Sequence, residues 1–229
     1  MSSLLLALET SSTVCSVTLY KNEQILGVSE LQIEKSHSSH ITVLIEQLLQ
    51  NCQVNLSNLT AIAISGGPGS YTGLRIGSAT AKGLCFSLDI PLIAISTLEA
   101  MAAEAIACIP NASDYLFCPM IEARRQEVYT YLTNAQLEPL TTITPVILEE
   151  NSFGDYLKTD KIIFTGSGSA KFATIVADTT NALFLQNSKP SASIIGKLAL
   201  CKLEKNIFEN VAYYEPFYLK EVYITSSSK

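Results

Sequence analysis

Residues 65–85, SGGPGSYTGLRIGSATAKGLC, are where this chain comes nearest to phosphate chemistry. A glycine-rich turn opening a helix offers free N–H groups and the positive end of a helix dipole to an anion. Both standard phosphate motifs fail here. A Walker loop needs a lysine after its second glycine, and no register of Gly66 to Arg75 supplies one. The dinucleotide pattern needs its third glycine where Thr72 stands, with Gly73 one place late. What is left is a candidate nucleotide or anion turn: Gly67, Gly69 and Ser70, together with Glu9, Thr10 and Ser11 of the earlier segment LALETSS. Any ATP or ADP bound there would be held without the usual lysine. His37 and His40 are the only histidines, and no third ligand accompanies them. No metal site and no required cofactor are therefore expected; the pair belongs to an exposed helical first turn capped by Ser36, Ser38 or Ser39. Serines are plentiful, but none has a nucleophile elbow or a triad context, so no catalytic residue is assigned.

The same stretch also reads as packing. With a helix starting near Ser70, Gly73, Gly77, Ala81 and Cys85 recur every four residues and form one stripe of small side chains. A glycine inside a helix costs about 1 kcal/mol against alanine, so two on one face point to the close approach of another backbone. That backbone could belong to the same domain or to another subunit. Arg75, beside the stripe, would pair with an acidic group. Ile41, Leu44, Ile45, Leu48, Leu49 and Cys52 give a firm amphipathic helix. LLLALETSSTVCSVTLY reads as strand, polar turn and strand, LTAIAIS and IPLIAIS as short buried strands, and Ser96 with Glu99 as a helix start.

The second half echoes the first. FCPMIEARRQEVYTYL is again an apolar run, an acid, a polar turn and an alternating strand; Glu122 falls where Glu9 does, and Val128 where Cys15 does. KIIFTGSGSAKF mirrors TAIAISGGPGSYTG. Two lobes on one plan, 1–108 and a smaller 109–229, are expected, with a hinge at the Pro- and Asn-interrupted segment CIPNASD. At 229 residues, 48% hydrophobic and 16% charged, the chain is globular, and its net charge of -6 speaks against gripping nucleic acid alone. Six cysteines without a Cys-x-x-Cys spacing read as buried, reduced thiols. No signal peptide or membrane-length apolar run is visible, so a cytoplasmic location is expected.

Taken together, LALETSS, SGGPGSYTGLRIG, IPLIAISTLEAMA, IEARRQEVY and the late EPFYLK resemble the TsaB (YeaZ-type) family, relatives of TsaD within the Gcp-like group, in order and over nearly the whole chain. The resemblance implies an α/β, duplicated actin-like (ASKHA, RNase H-like) fold, with mixed sheets flanked by helices in two lobes. It implies a dimerisation subunit, a pseudoenzyme scaffold that activates a TsaD-like transferase placing threonylcarbamoyl on the tRNA adenosine next to the anticodon. A TsaE-like ATPase joins them, and tRNA is met through the complex. Alone, such a chain would form a homodimer. The ETSS opening is closer to TsaD. TsaD, however, is longer and carries two metal-holding histidines at the positions of Thr97 and Met101 here, and neither of these residues replaces an imidazole.

The resemblance further implies that the helix of Ile41, Leu44, Ile45 and Leu48 and the striped helix of Gly73, Arg75, Gly77 and Ala81 form the partner interface, so that Gly77→Leu should break the complex and spare the fold. Glu9 and Glu122 stand where actin-like ATPases put an acid near a metal-nucleotide, or else cap their own hairpins. Arg124 and Arg125 are expected as solvated turn residues. The competing functions are an independent actin-like ATPase or phosphotransferase, and a self-pairing regulatory homodimer.

Overall fold

The computed structural model describes residues 3–32, 37–177, 179–186 and 188–218, with only the backbone of His37. The first apolar run forms β1 (Leu4–Glu9), which is covered on both faces and is accordingly apolar on both. It pairs antiparallel with β2 (Cys15–Lys21), which pairs antiparallel with β3 (Gln24–Leu31). On its other side β1 pairs parallel with β4 (Ala61–Ser65), and β4 with β5 (Leu92–Ile95), giving the order β3-β2-β1-β4-β5.

The second half builds β6 (Tyr115–Glu122), β7 (Glu127–Thr130), β8 (Thr144–Ile147), β9 (Lys161–Thr165) and β10 (Ala182–Leu185). Their order is β10-β9-β6-β7-β8, with β6, β7 and β8 antiparallel neighbours and β6, β9 and β10 parallel ones. The echo in the sequence is thus one topology used twice. One detail of it shifts: Glu9 lies opposite Ser16, whereas Glu122 lies opposite Val128. Val128 therefore corresponds to Ser16 rather than Cys15, because the first turn is one residue longer.

Three long helices connect the strands of the first half: α1 (His37–Asn51), α2 (Tyr71–Leu88) and α3 (Thr97–Cys108). The Ser70 hydroxyl accepts from the Gly73 N–H at 3.2 Å to cap α2, and the Ser96 hydroxyl accepts from the Glu99 N–H at 3.4 Å to cap α3. In the second half, α4 (Gly154–Leu157) and α5 (Ser169–Ala173) are short, and α6 (Ala192–Glu204) is capped by Ser191. Phe153, Phe164, Phe172 and Phe184 pack mutually, with centroids 4.8–6.2 Å apart, and anchor the core of the second sheet.

Helices α1 and α2 cover one face of the first sheet, burying Leu6, Leu8, Val17 and Leu19 beneath Ile41, Leu44, Ile45 and Leu48. The opposite face is covered by α6, which comes from the far end of the chain. Small residues make that seat possible: a side chain at Gly196 would meet the Tyr20 ring at 2.4 Å and Ala7 at 3.2 Å. The boundary expected at residue 108 falls between the strands of the two sheets, and part of the described chain after it returns to the first. Helix α6 belongs to the first sheet, and so does the segment after it. There the Glu209 N–H donates to the Leu92 carbonyl at 2.8 Å, Lys82 Nζ donates to the carbonyls of Ala212 and Tyr214 at 3.1 and 3.0 Å, and the Phe217 N–H donates to the Gly66 carbonyl at 2.8 Å. Residues 209–218 thus form a strap along the β5 edge.

Other sequence expectations divide. Arg124 and Arg125 are exposed turn residues. Cys15, Cys85 and Cys118 are buried, but Cys108 and Cys201 are exposed, since both fall on the solvent side of a helix end. Ser38 and Ser39 lie inside the first turn of α1 rather than capping it, and the Ser39 hydroxyl is 2.9 Å from His40 Nδ1. Ser36, the third candidate cap, lies outside the described residues.

Candidate functional site

Both hairpins end at an acid beside the junction of the two sheets, and the two acids fare differently. Glu9 closes β1 and is fully buried. Its Oε1 accepts from both the N–H and the hydroxyl of Ser11, while its Oε2 has no hydrogen-bond partner among the described residues. Burial pushes this carboxyl up to about 7; the Ser11 hydrogen bonds and the nearby Ser65 hydroxyl pull the other way, and Glu104 adds a further upward push. Glu122, its counterpart, is exposed, pairs with Lys171 Nζ at 2.7 Å, and has its own N–H on the Ser167 hydroxyl at 3.0 Å.

The turn after Glu9 is wedged into the glycine-rich segment. The Ser11 carbonyl accepts from the Ser70 N–H at 2.7 Å and sits where a side chain at Gly69 would be, 2.5 Å from its Cβ position. The Thr10 carbonyl lies 2.0 Å from the Cβ position of Gly73, and Thr10 Oγ1 lies 2.2 Å from that of Gly77. Glu9, Thr10, Ser11, Gly67, Gly69 and Ser70 are therefore brought together around this wedge. The N–H groups of Gly66, Ser70 and Gly73 are directed to Ile95, Ser11 and Ser70 oxygens of the protein itself.

Most residues of the expected interface are packed within the chain in the same place. Ile41, Leu44, Ile45 and Leu48 are buried on their own sheet, Gly73 and Gly77 on Thr10, and Ala81 in the same core. Of the eight residues expected at the interface, only Arg75 is exposed. The backbone that the small-residue stripe admits is that of Thr10. Gly77→Leu would accordingly strike the fold itself, contrary to the expectation that it spares it. The outward faces of the two helices instead carry Val43 on α1, and Thr72, Arg75, Ala79 and Phe86 on α2, with Phe86 86% exposed.

Between the lobes lies a cleft of about 1080 Å³. The first lobe contributes Ser11, Ser12, Thr13, Ser70, Thr72 and Ile76, and the second Glu122, Ser167, Ser169 and Phe184, with Lys189 at the approach to α6. Thr97 and Met101, one turn apart on α3, are buried in its floor, and Thr97 Oγ1 has no hydrogen-bond partner among the described residues. Among those residues, no group of three or more His, Cys, Asp or Glu side chains is placed to hold a metal ion, and no helix is long and apolar enough to cross a membrane. Apart from Glu122, the second-lobe wall is not singled out by the sequence. Its signal was the mirrored turn in KIIFTGSGSAKF, which contains Ser167, Ser169 and Lys171.

Two sheets of identical topology, a cleft between them and an acid closing the first strand of each define a duplicated actin-like α/β protein. The model of the family described as TsaD, tRNA N6-adenosine threonylcarbamoyltransferase, matches residues 13–222. The tRNA threonylcarbamoyladenosine biosynthesis protein TsaB of Buchnera aphidicola from Acyrthosiphon pisum is 31% identical over 82% of this chain and 86% of that protein; its counterpart from Schizaphis graminum is 33% identical over 83% and 97%. YeaZ from Pseudomonas aeruginosa superposes with a TM-score of 0.80 at 25% identity, covering 95% of this chain and 100% of that one. The chain belongs to the TsaB (YeaZ-type) family.

Proposed function

We propose that this chain is a non-catalytic subunit of tRNA threonylcarbamoyladenosine biosynthesis, which pairs with a TsaD-type transferase and holds it in its active state. The observation that carries this reading is the floor of the cleft. Thr97 and Met101, one helical turn apart, stand where the transferase is expected to carry its metal-holding histidines, and a hydroxyl and a thioether cannot take over that role. The relatives named TsaB support the pathway. The Gly66, Ser70 and Gly73 amides, spent on the protein's own oxygens, are three fewer donors for the phosphates of an independent ATPase. A TsaE-type ATPase and tRNA join through the transferase, and the face that meets the transferase would serve self-pairing in its absence.

That face is the outward side of α1 and α2. It carries Phe86, a large apolar side chain left uncovered by the described residues. In a reconstituted reaction with transferase, TsaE-type ATPase, tRNA and threonylcarbamoyl donor, scored by nucleoside mass spectrometry, product is expected only when this chain is added. Equal product without it would sink the proposal. Phe86→Glu is expected to weaken transferase binding about 30-fold, the loss typical of an aromatic anchor. Unchanged affinity measured by calorimetry would remove this face from the interface.

A further inference from the structure

The face just described is not made by helices alone, because the strap reaches it. Tyr71 is the first residue of α2, and Arg75, four residues on, lies one turn away on the same side. The Arg75 guanidinium sits 4.3 Å from the centroid of the Tyr71 ring, within cation–π range. The other neighbour of that ring is Tyr218 of the strap, with centroids 5.0 Å apart and planes inclined at 50°.

We infer that Tyr218 is a positioning residue: through Tyr71 it holds the Arg75 guanidinium ready for a carboxylate of the transferase. The inference rests on the docking reading above. Three observations carry it. First, the strap is fixed where it passes the helix, by the Phe217 N–H on the Gly66 carbonyl and by Lys82 clamping the carbonyls of Ala212 and Tyr214. Gly67 makes this passage possible: its φ is +97°, and a Cβ there would meet the Phe217 carbonyl at 2.7 Å. Second, Arg75 is exposed and pairs with no carboxylate among the described residues, where the ion pairs are Lys158–Asp155 and Lys171–Glu122. Third, a guanidinium laid on a ring keeps its edge donors free, and those donors match a carboxylate in a two-pronged pair. A tRNA phosphate would present similar oxygens, but the net charge of -6 and the engagement of Lys82, the other cation of α2, by two strap carbonyls favour the carboxylate.

The test is a double-mutant cycle on binding of the full chain to its transferase, read by calorimetry. Arg75→Ala is expected to weaken binding about 30-fold, the range of a lost charge-assisted pair. Tyr218→Leu, with the arginine still present but free to wander, is expected to weaken it about fivefold, and Tyr218→Phe to leave it near wild type. Adding Tyr218→Leu to Arg75→Ala should then change nothing further. Wild-type affinity for Tyr218→Leu, or losses that simply add, would overturn the positioning role while leaving the docking face standing. If Arg75→Ala and Phe86→Glu both bind normally, the docking face itself fails. If Arg75→Ala spares transferase binding but weakens capture of tRNA by the assembled complex, the arginine serves phosphate and the carboxylate assignment is overturned.

Discussion

Gly73→Ala is expected to lower the unfolding free energy by about 3 kcal/mol, at the severe end of overpacking, and to do so without touching any partner. The reason is local. The new Cβ would stand 2.0 Å from the Thr10 carbonyl oxygen, and that atom is backbone, held in a turn whose next carbonyl already accepts from Ser70. Neither α2 nor the turn can yield without parting the glycine-rich segment from β1. Gly83, on the same helix, is the control. A Cβ there meets nothing within 4 Å, so Gly83→Ala should instead raise stability by about 1 kcal/mol through helix propensity. Urea midpoints of the two variants should move in opposite directions. A shift of the same sign in both would mean that the contact of α2 with Thr10 is not what its glycine serves.

The second large effect depends on pH. Glu9 is fully buried and its carboxyl is pushed from 4.5 up to about 7, so the folded protein holds a proton that the unfolded chain has released. The stability that this proton represents is complete below about 4.5, declines as pH rises, and is gone above about 7, a difference of about 3 kcal/mol. Glu9→Gln keeps an oxygen for the two Ser11 donors and removes the charge. It should therefore match wild type at about pH 4 and exceed it at about pH 8 by up to that amount. Urea denaturation across this range measures it. A constant difference between the two proteins from pH 5 to 8 would show that Glu9 does not titrate there.

The strands flanking the acids and helices α1 to α3 were legible because period and punctuation agree: α2 starts at Ser70 and α3 at Ser96 as expected, and the apolar stripe of α1 faces a sheet. What a stripe faces was not legible. Gly73, Gly77 and Ala81 repeat every four residues whether the approaching backbone is a partner's or that of Thr10, sixty residues earlier in the chain, because sequence spacing describes one surface and never its complement. The cleft was half legible for a similar reason. Its first-lobe wall is in ETSS and GGPGS, but Phe184 and Lys189 reach it only through the return of the chain toward α6. That helix could have been read from the cap at Ser191 and the apolar Ile194, Ile195, Leu198 and Leu203 that follow. Its destination could not, since repeat logic assigns it to the second half. The strap has no periodicity at all. It is held by backbone hydrogen bonds and by Lys82, which no pattern of side-chain types encodes.

That crossing of α6 and the strap sets an order of events during synthesis. When the ribosome has delivered the first sheet, only α1 and α2 are there to cover it, and the Ala-rich face of β1 and β4 waits for residues 192–204. The β5 edge waits longer still, until Glu209 arrives to pair with Leu92. A nascent chain released near residue 110 would expose that face and that edge to chaperones and proteases. The lobe translated first is the one completed last, and the second lobe, whose aromatic core is local, is free to form in between.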